Sequence, residues 1–329
     1  MTTRGVILVH GGAGAMRSMG GQREAAYRAG LRAAAAAGRD VLAAGADAMA
    51  AVVAANRVME DAGCFNAGLG SCLDERGEYA LDAAVMRGSD REAGAVGALS
   101  ATHHAVTLAH ELLAHRHVLI VGLGADDLAR ELGLPAIPPP PADKLATYAK
   151  LRASKAERLE DLATVGRPDD DDDDAGVKPS PEDTSHDTVG AVALDSSGLL
   201  AAAVTTGGLW LKTRGRVGDS PLVGAGLFAC NALGGAAVAT GIGERLLKDL
   251  SCFRACQLVE SSDAGAAAER AVAELAQRFG PDTGGLIVVD REGRLGAAFN
   301  TSGMGRALAR VGQDEVPVAV WPEEPFPLA

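Results

Sequence analysis

Three threonines in the second half of the chain stand where chemistry could be done. Thr188 lies at the join between a polar, turn-prone stretch and the apolar run Val189-Gly-Ala-Val-Ala-Leu194, which reads as a buried strand. Thr205-Thr206-Gly207-Gly208 ends the next strand-like run, one hairpin away, and Thr240-Gly241-Ile242-Gly243 opens the helix at Glu244. Arg216 and Asp219 lie between them in a loop rich in glycine and basic residues. Hydroxyls, a backbone N–H nest and one charge of each sign suit acyl transfer on an amino-acid-like substrate. Threonine is also a good strand former, so a purely structural sheet would carry the same residue types.

Other motifs carry less. Gly11-Gly12-Ala13-Gly14 follows a first strand but lacks the Lys-Ser/Thr ending of a phosphate loop. After the apolar run His117-Val-Leu-Ile-Val121, Gly122-Leu-Gly124 is followed by Asp127 where a dinucleotide fingerprint needs a third glycine, and that carboxylate would repel a pyrophosphate. His103, His104, His110, His115 and His117 cluster without the i, i+4 spacing and acidic partner of a helical metal site, and read as a solvated helix face. Cys252 and Cys256 have no second thiol pair for zinc. The run Asp169–Asp174 lacks the glycine and terminal Glu of a calcium loop and reads as a solvated linker.

Composition narrows the class. The net charge of -12 argues against a nucleic-acid partner, which needs a basic face. No stretch reaches about 18 strongly apolar residues, so no membrane span is expected. The start shows no signal-peptide h-region or cleavage pattern. Five cysteines, an odd and scattered set, fit free thiols in a reducing cytoplasm. With 47% hydrophobic residues but only 3% aromatic, the core must pack by close backbone approach rather than by rings.

The elements that must position the threonines follow from pattern. Strands are expected at Gly5–His10, Ser71–Asp74, Glu78–Met86, Ala93–Leu99 and a buried His117–Val121. Helices are expected near Gln22–Ala37, Asp47–Met59 with Asp47 as N-cap, His104–Ala114, Asp126–Glu131 and Lys144–Leu162. A Pro-, Asp- and Ser-rich linker at 166–185 is expected to be disordered. Beyond it come a hairpin (Thr188–Leu194, Leu199–Thr206), two strands flanking Asn231, helices at Glu244–Val259 and Ala264–Phe279, a hairpin at Leu286–Asn300 and a last strand at Val316–Val320. Hairpins in both halves point to an α+β fold, a layered αββα sandwich of two mainly antiparallel sheets between helices.

These pieces resemble the plant-type asparaginase / isoaspartyl peptidase family of N-terminal nucleophile hydrolases. The resemblance rests on His10-Gly-Gly-Ala-Gly-Ala15, Phe65-Asn-Ala-Gly-Leu-Gly70, Leu81-Asp-Ala83, Thr188–Asp195, Thr206-Gly-Gly208, Gly215-Arg-Val-Gly-Asp-Ser-Pro221, Gly224-Ala-Gly226 and Thr240–Gly243, in the family's order across nearly the whole chain. It implies one αββα hydrolase domain over 1–329, made as an inactive precursor. Cleavage between Asp187 and Thr188 leaves an α chain of 187 residues and a β chain of 329 − 187 = 142. It implies Thr188 as nucleophile, Thr206 ordering it, Arg216 and Asp219 holding a substrate's α-carboxylate and α-amine, Thr240 and Gly241 as oxyanion hole, Gly243 lining the amine site, and Asn66 near the nucleophile. It implies a structural sodium on the backbone carbonyls of Met59, Glu60, Ala62, Phe65, Ala67 and Leu69, no catalytic cofactor, and a homodimer of αβ units.

The chemistry is coherent from the residues up. Once freed, the Thr188 α-amine has an unperturbed pKa of ~7.7–8.0 and can take the hydroxyl proton of the same residue. The expected activity is hydrolysis of β-aspartyl peptides and L-asparagine. His186-Asp187 before the nucleophile is more typical of the glycosylasparaginase branch, whereas Thr206-Gly-Gly208 favours the isoaspartyl branch. A taspase-like endopeptidase is disfavoured by the short linker, and a non-catalytic member is the remaining alternative.

Overall fold

Alternate positions along the central strands bury against different partners, and this alternation builds the architecture. In β1 (Val6–Gly14) Val6 and Leu8 join one apolar cluster while Ile7 and Val9 join another. The same split divides β5 (Val189–Leu194) into Val192 and Leu194 against Val189, Ala191 and Ala193. β6 (Leu200–Thr206) and β2 (Leu81–Arg87) divide likewise. The computed structural model describes residues 5–14, 19–165 and 188–328. The expected linker, with His186 and Asp187, lies outside them.

These strands belong to an eight-stranded sheet, completed by β3 (Ala93–Leu99), β4 (Leu119–Val121), β11 (Gly303–Arg310) and β12 (Val318–Ala319), in the order β12-β11-β1-β5-β6-β2-β3-β4. All its pairs are antiparallel except β3 with β4. A second, antiparallel sheet has the order β10-β9-β8-β7, from Leu295–Phe299, Gly284–Asp290, Gly235–Gly241 and Leu227–Cys230. The first cluster joins both sheets to helices α7 (Ser251–Val259) and α8 (Ala264–Phe279). The second joins the other face of the large sheet to α1 (Gly21–Ala43), α2 (Ala48–Asp61) and α3 (Ala105–Glu111). Many of the buried partners are alanine, as the scarcity of rings requires.

The hairpin that carries Thr188 is held at its far end by one carboxylate. Asp195 Oδ1 accepts from Ser197 N, Ser197 Oγ and Leu199 N, which closes the β5–β6 turn. Its Oδ2 accepts from Ala48 N at 2.9 Å, one of the orphan donors at the start of α2. Asp47 caps the same helix through Ala50 N, as expected.

Several elements differ from the sequence expectation. β11 is unforeseen, because Gly303, Gly305, Arg306 and Arg310 disguise a strand that pairs along the whole of β1. The expected strand pair around Glu75–Gly77 shrinks to a single Leu73–Tyr79 bridge, its turn built on Asp74 Oδ1 accepting from Arg76 N and Glu78 N. β4 is an edge strand with Leu119 and Val121 exposed rather than buried. The helix expected over 244–259 is two, α6 (Gly243–Asp249) and α7, broken at Leu250 with φ of 55°. His103 and His104 are not a solvated face: they precede α3, partly buried, with their Nε2 atoms 3.4 and 2.9 Å from Asp61 Oδ1. The remaining helices are α4 (Leu123–Glu131) and α5 (Ala142–Val165), and no described helix is long and apolar enough to cross a membrane.

Asp195→Ala is expected to strand the Ala48 and Leu199 N–H groups and to cost about 3 kcal/mol of stability. Urea denaturation checks this; a change below about 0.5 kcal/mol would deny Asp195 its role at the hairpin.

Candidate active site

Antiparallel pairing of β5 with β6 sets Val189 opposite Thr205, which brings the preceding residue, Thr188, alongside Thr206. The Thr188 hydroxyl donates to Thr206 Oγ1 at 3.2 Å, and Thr206 Oγ1 also accepts from Gly208 N at 3.0 Å. Both threonines are buried, Thr188 at 7% exposure, so the nucleophile candidate meets solvent only through a narrow opening.

That opening is a small cavity of about 10 Å³, room for one water, lined by Thr188, Thr206, Gly208, Arg216, Asp219, Gly241, Gly243 and neighbours. A groove of about 890 Å³ between Arg32, Val316 and Phe326 is roomier but contains none of the threonine set. Gly241 has a φ of 144°, and a Cβ there would strike Thr283 O and Gly284 Cα, so only glycine lets this backbone approach. A Cβ on Gly243 would lie 2.8 Å from both Arg216 Nη2 and Asp219 Oδ1, so glycine keeps the space between the two charges open.

Asn66 and Thr240 are not among the lining residues. Thr240, wholly buried in β8, accepts from Ala13 N at 3.2 Å, a bond that orients its hydroxyl. Asn66 pins the end of β6: its Nδ2 donates to Gly208 O at 2.7 Å and its main-chain oxygen accepts from Gly207 N.

The charges are poised unequally. Burial pushes the Asp219 carboxyl up to about 7, with Arg216 pulling the other way, and its Oδ2 has no hydrogen-bond partner. The Arg216 guanidinium is engaged: Nε and Nη2 donate to the two Glu244 oxygens at 2.8 and 2.9 Å. Its Nη1 lies beside Gly208 and Gly218, both in the cavity wall.

A family model described as Asparaginase matches residues 3–318. The chain is 41% identical to the plant-type L-asparaginase of Pyrobaculum calidifontis, covering 95% of this chain and 98% of that one. It is 39% identical to the isoaspartyl peptidase of Salmonella typhimurium, with 94% and 96% covered, and 38% identical to that of Escherichia coli, with 94% of each. The chain belongs to the asparaginase family.

The sodium loop expected of an asparaginase-family chain can be tested by its donors. Gly68 and Gly70 pack so closely on Glu60 O and Phe65 O that neither could carry a side chain. Neutral main-chain oxygens in such a tight loop fit a hard alkali cation. Among the expected donors, Ala67 O also accepts from Gly70 N, and Leu69 O accepts from Lys144 Nζ at 2.8 Å.

Three residues at this site carry no side-chain role in the sequence reading. Glu244 follows the glycine signature directly, and that adjacency was the available signal. His10 heads the first glycine motif; its buried ring faces the Thr188 main chain without a well-formed hydrogen bond, and burial pulls it down to about 3, so it stays neutral. Glu60 enters the sequence reading for its carbonyl only. Its carboxyl is wholly buried, and Oε1 accepts from Thr205 Oγ1 at 2.7 Å and Val106 N at 3.0 Å.

Burial pushes Glu60 up to about 8, against the hydrogen bonds from Thr205 and Val106. In the unfolded chain it ionises near 4.5, so its contribution is complete below that pH and is lost as pH rises toward 8. Across that window unfolding releases a proton, a loss of up to about 1.4 kcal/mol per pH unit. Denaturation of wild type and Glu60→Gln at pH 5 and 7.5 should show wild type losing stability relative to the variant. Parallel curves would mean that Glu60 is ionised in the fold.

Proposed function

We propose that this chain is a self-cleaving threonine amidohydrolase that releases L-aspartate from β-aspartyl (isoaspartyl) peptides and L-asparagine. The observation that carries the reading is the Thr188–Thr206–Gly208 hydrogen-bond chain, opening on a cavity whose wall also holds Arg216 and Asp219. The names of the relatives, isoaspartyl peptidase and plant-type L-asparaginase, support the substrate class.

The Thr188 hydroxyl first adds to the carbonyl of the Asp187–Thr188 peptide bond. The amide nitrogen leaves as an amine, and water hydrolyses the resulting ester, which frees the Asp187 carboxylate and the Thr188 α-amine. The space beside Thr188 is small, which suits a precursor whose pocket opens after cleavage. In turnover the neutral amine takes the hydroxyl proton as oxygen attacks the substrate's side-chain amide. Thr240 and Gly241 stabilise the oxyanion, each donor worth about a hundredfold in rate, or about 3 kcal/mol. The leaving amine departs with a proton, and water resolves the β-aspartyl ester on Thr188. Nη1 of Arg216 receives the substrate's α-carboxylate, while Asp219 receives its ammonium across the gap at Gly243.

On this reading the helices and sheets form a four-layer αββα domain, processed into α (1–187) and β (188–329) chains that work as a cytoplasmic dimer of αβ units. A sodium ion on the carbonyls of Met59, Glu60, Ala62, Phe65, Ala67 and Leu69 would supply only neutralisation of their dipoles, holding the loop that carries Asn66. His186-Asp187 favours one second reading, a glycosylasparaginase-like specificity.

Thr188→Ala should lower β-Asp-Leu hydrolysis at least a thousandfold in a steady-state assay; activity within tenfold of wild type would place the nucleophile elsewhere. Wild type should prefer β-Asp-Leu to glycosylasparagine, and the reverse preference would install the second reading. KM for β-Asp-Leu should rise about tenfold per pH unit below 7, as Asp219 takes up a proton and loses its attraction for the ammonium. In Asp219→Asn the KM should be high and flat; a wild-type-like slope in that variant would remove Asp219 from the amine site.

A further inference from the structure

Helix α5 docks on the loop beside the site through one face. Lys144, Tyr148 and Leu151 follow at i, i+4 and i+7, and Leu151 is buried. Tyr148 Oη donates to Glu75 O at 2.9 Å. Lys144 Nζ donates to Leu69 O and Ser71 O, both at 2.8 Å, and lies 5.0 Å from the centre of the Tyr79 ring. Among the described residues no carboxylate ion-pairs with it. An ammonium half removed from water, partnered by two carbonyls and a ring, is an expensive way to anchor a surface helix.

The carbonyl of Ser71 belongs to the same peptide unit as the N–H of Cys72. That N–H donates to Asn66 Oδ1 at 2.8 Å, and Asn66 Nδ2 donates to Gly208 O at 2.7 Å. Gly208 N in turn donates to Thr206 Oγ1, the acceptor of the Thr188 hydroxyl. A cation on the Ser71 carbonyl polarises its peptide and strengthens the bond that the Cys72 N–H makes to Asn66. The path is also sterically tight: a Cβ on Gly207 would come within 2.6 Å of Ser71 Cβ and 2.8 Å of Cys72 N, so a shift of the 71–72 peptide is felt at the end of β6.

We propose that Lys144 is a positioning residue for the nucleophile, acting through the Ser71–Cys72 peptide and Asn66; the proposal rests on the reading of Thr188 as nucleophile. The charge that orients the pocket thus comes from the helix leading into the segment before Thr188.

The test is a double-mutant cycle in the full chain, with processing verified and circular dichroism as the folding check. Lys144→Met should lower kcat for β-Asp-Leu at least tenfold with KM within twofold, and Lys144→Arg should recover kcat to within threefold of wild type. In an Asn66→Ala background the same Lys144→Met change should alter kcat less than twofold, because the path is already cut. The proposal fails if Lys144→Met leaves kcat within twofold of wild type, if the loss falls on KM, or if the full loss persists in Asn66→Ala. Should Lys144→Met not fold, Lys144→Gln repeats the cycle with the same criteria. Activity in Thr188→Ala would remove the underlying reading; an inactive Thr188→Ala beside a wild-type-like Lys144→Met rejects Lys144 alone.

Discussion

Everything at this site depends on the register of one strand pair. β5 and β6 are joined by the five residues 195–199 and pair from Val189–Thr205 through Leu194–Leu200. A slip of one residue would turn Thr206 to the opposite face of the sheet and separate the two hydroxyls. Two devices guard the register. The Asp195 carboxylate fixes the turn and ties it to α2, and Asn66 holds the other end through Gly207 and Gly208. Both strands are also buried on both faces, so a slip would disturb two apolar clusters at once.

Around that pair the protein buries ionisable groups in different protonation states. His10 stays neutral, Glu60 holds its proton well past its ordinary range, and Asp219 sits near the midpoint at neutral pH. Burial is the largest cause in each case, and what differs is the company. Glu60 has two donors on one oxygen, whereas Asp219 has an oxygen with none, facing a space that a glycine keeps clear. An unpaired buried carboxylate is costly in a resting protein and suited to an arriving ammonium. Arg216 is satisfied by Glu244 from one side, which leaves its inner nitrogen toward the cavity.

The sequence was most informative where pattern and chemistry coincide. The β5–β6 hairpin and the Asp47 cap follow from alternation and turn residues; the site set is what the family resemblance implies, and of it the cavity wall brings Thr188, Thr206, Arg216, Asp219, Gly241 and Gly243 together and leaves out Thr240 and Asn66. What escaped depends on contacts distant along the chain. β11 is a strand because β1 and β12 accept it on either side, despite two arginines and two glycines. Glu60 is accommodated as a buried carboxyl because Thr205, 145 positions away, supplies a hydroxyl and Val106 a main-chain N–H. Lys144 looks like one charge of an ordinary solvated helix until α5 lays it on the carbonyls of Leu69 and Ser71. Such residues have no local signal, since their roles are made by tertiary packing.

The central claim is that Thr188 becomes reactive by becoming a chain terminus. N-terminal sequencing of the purified wild-type protein, after incubation to constant composition, tests it most directly. The account predicts two fragments in equal amount, the smaller of 142 residues and beginning Thr-Val-Gly-Ala-Val. A single intact chain that nevertheless hydrolyses β-Asp-Leu would contradict it, as would a second terminus at any other residue.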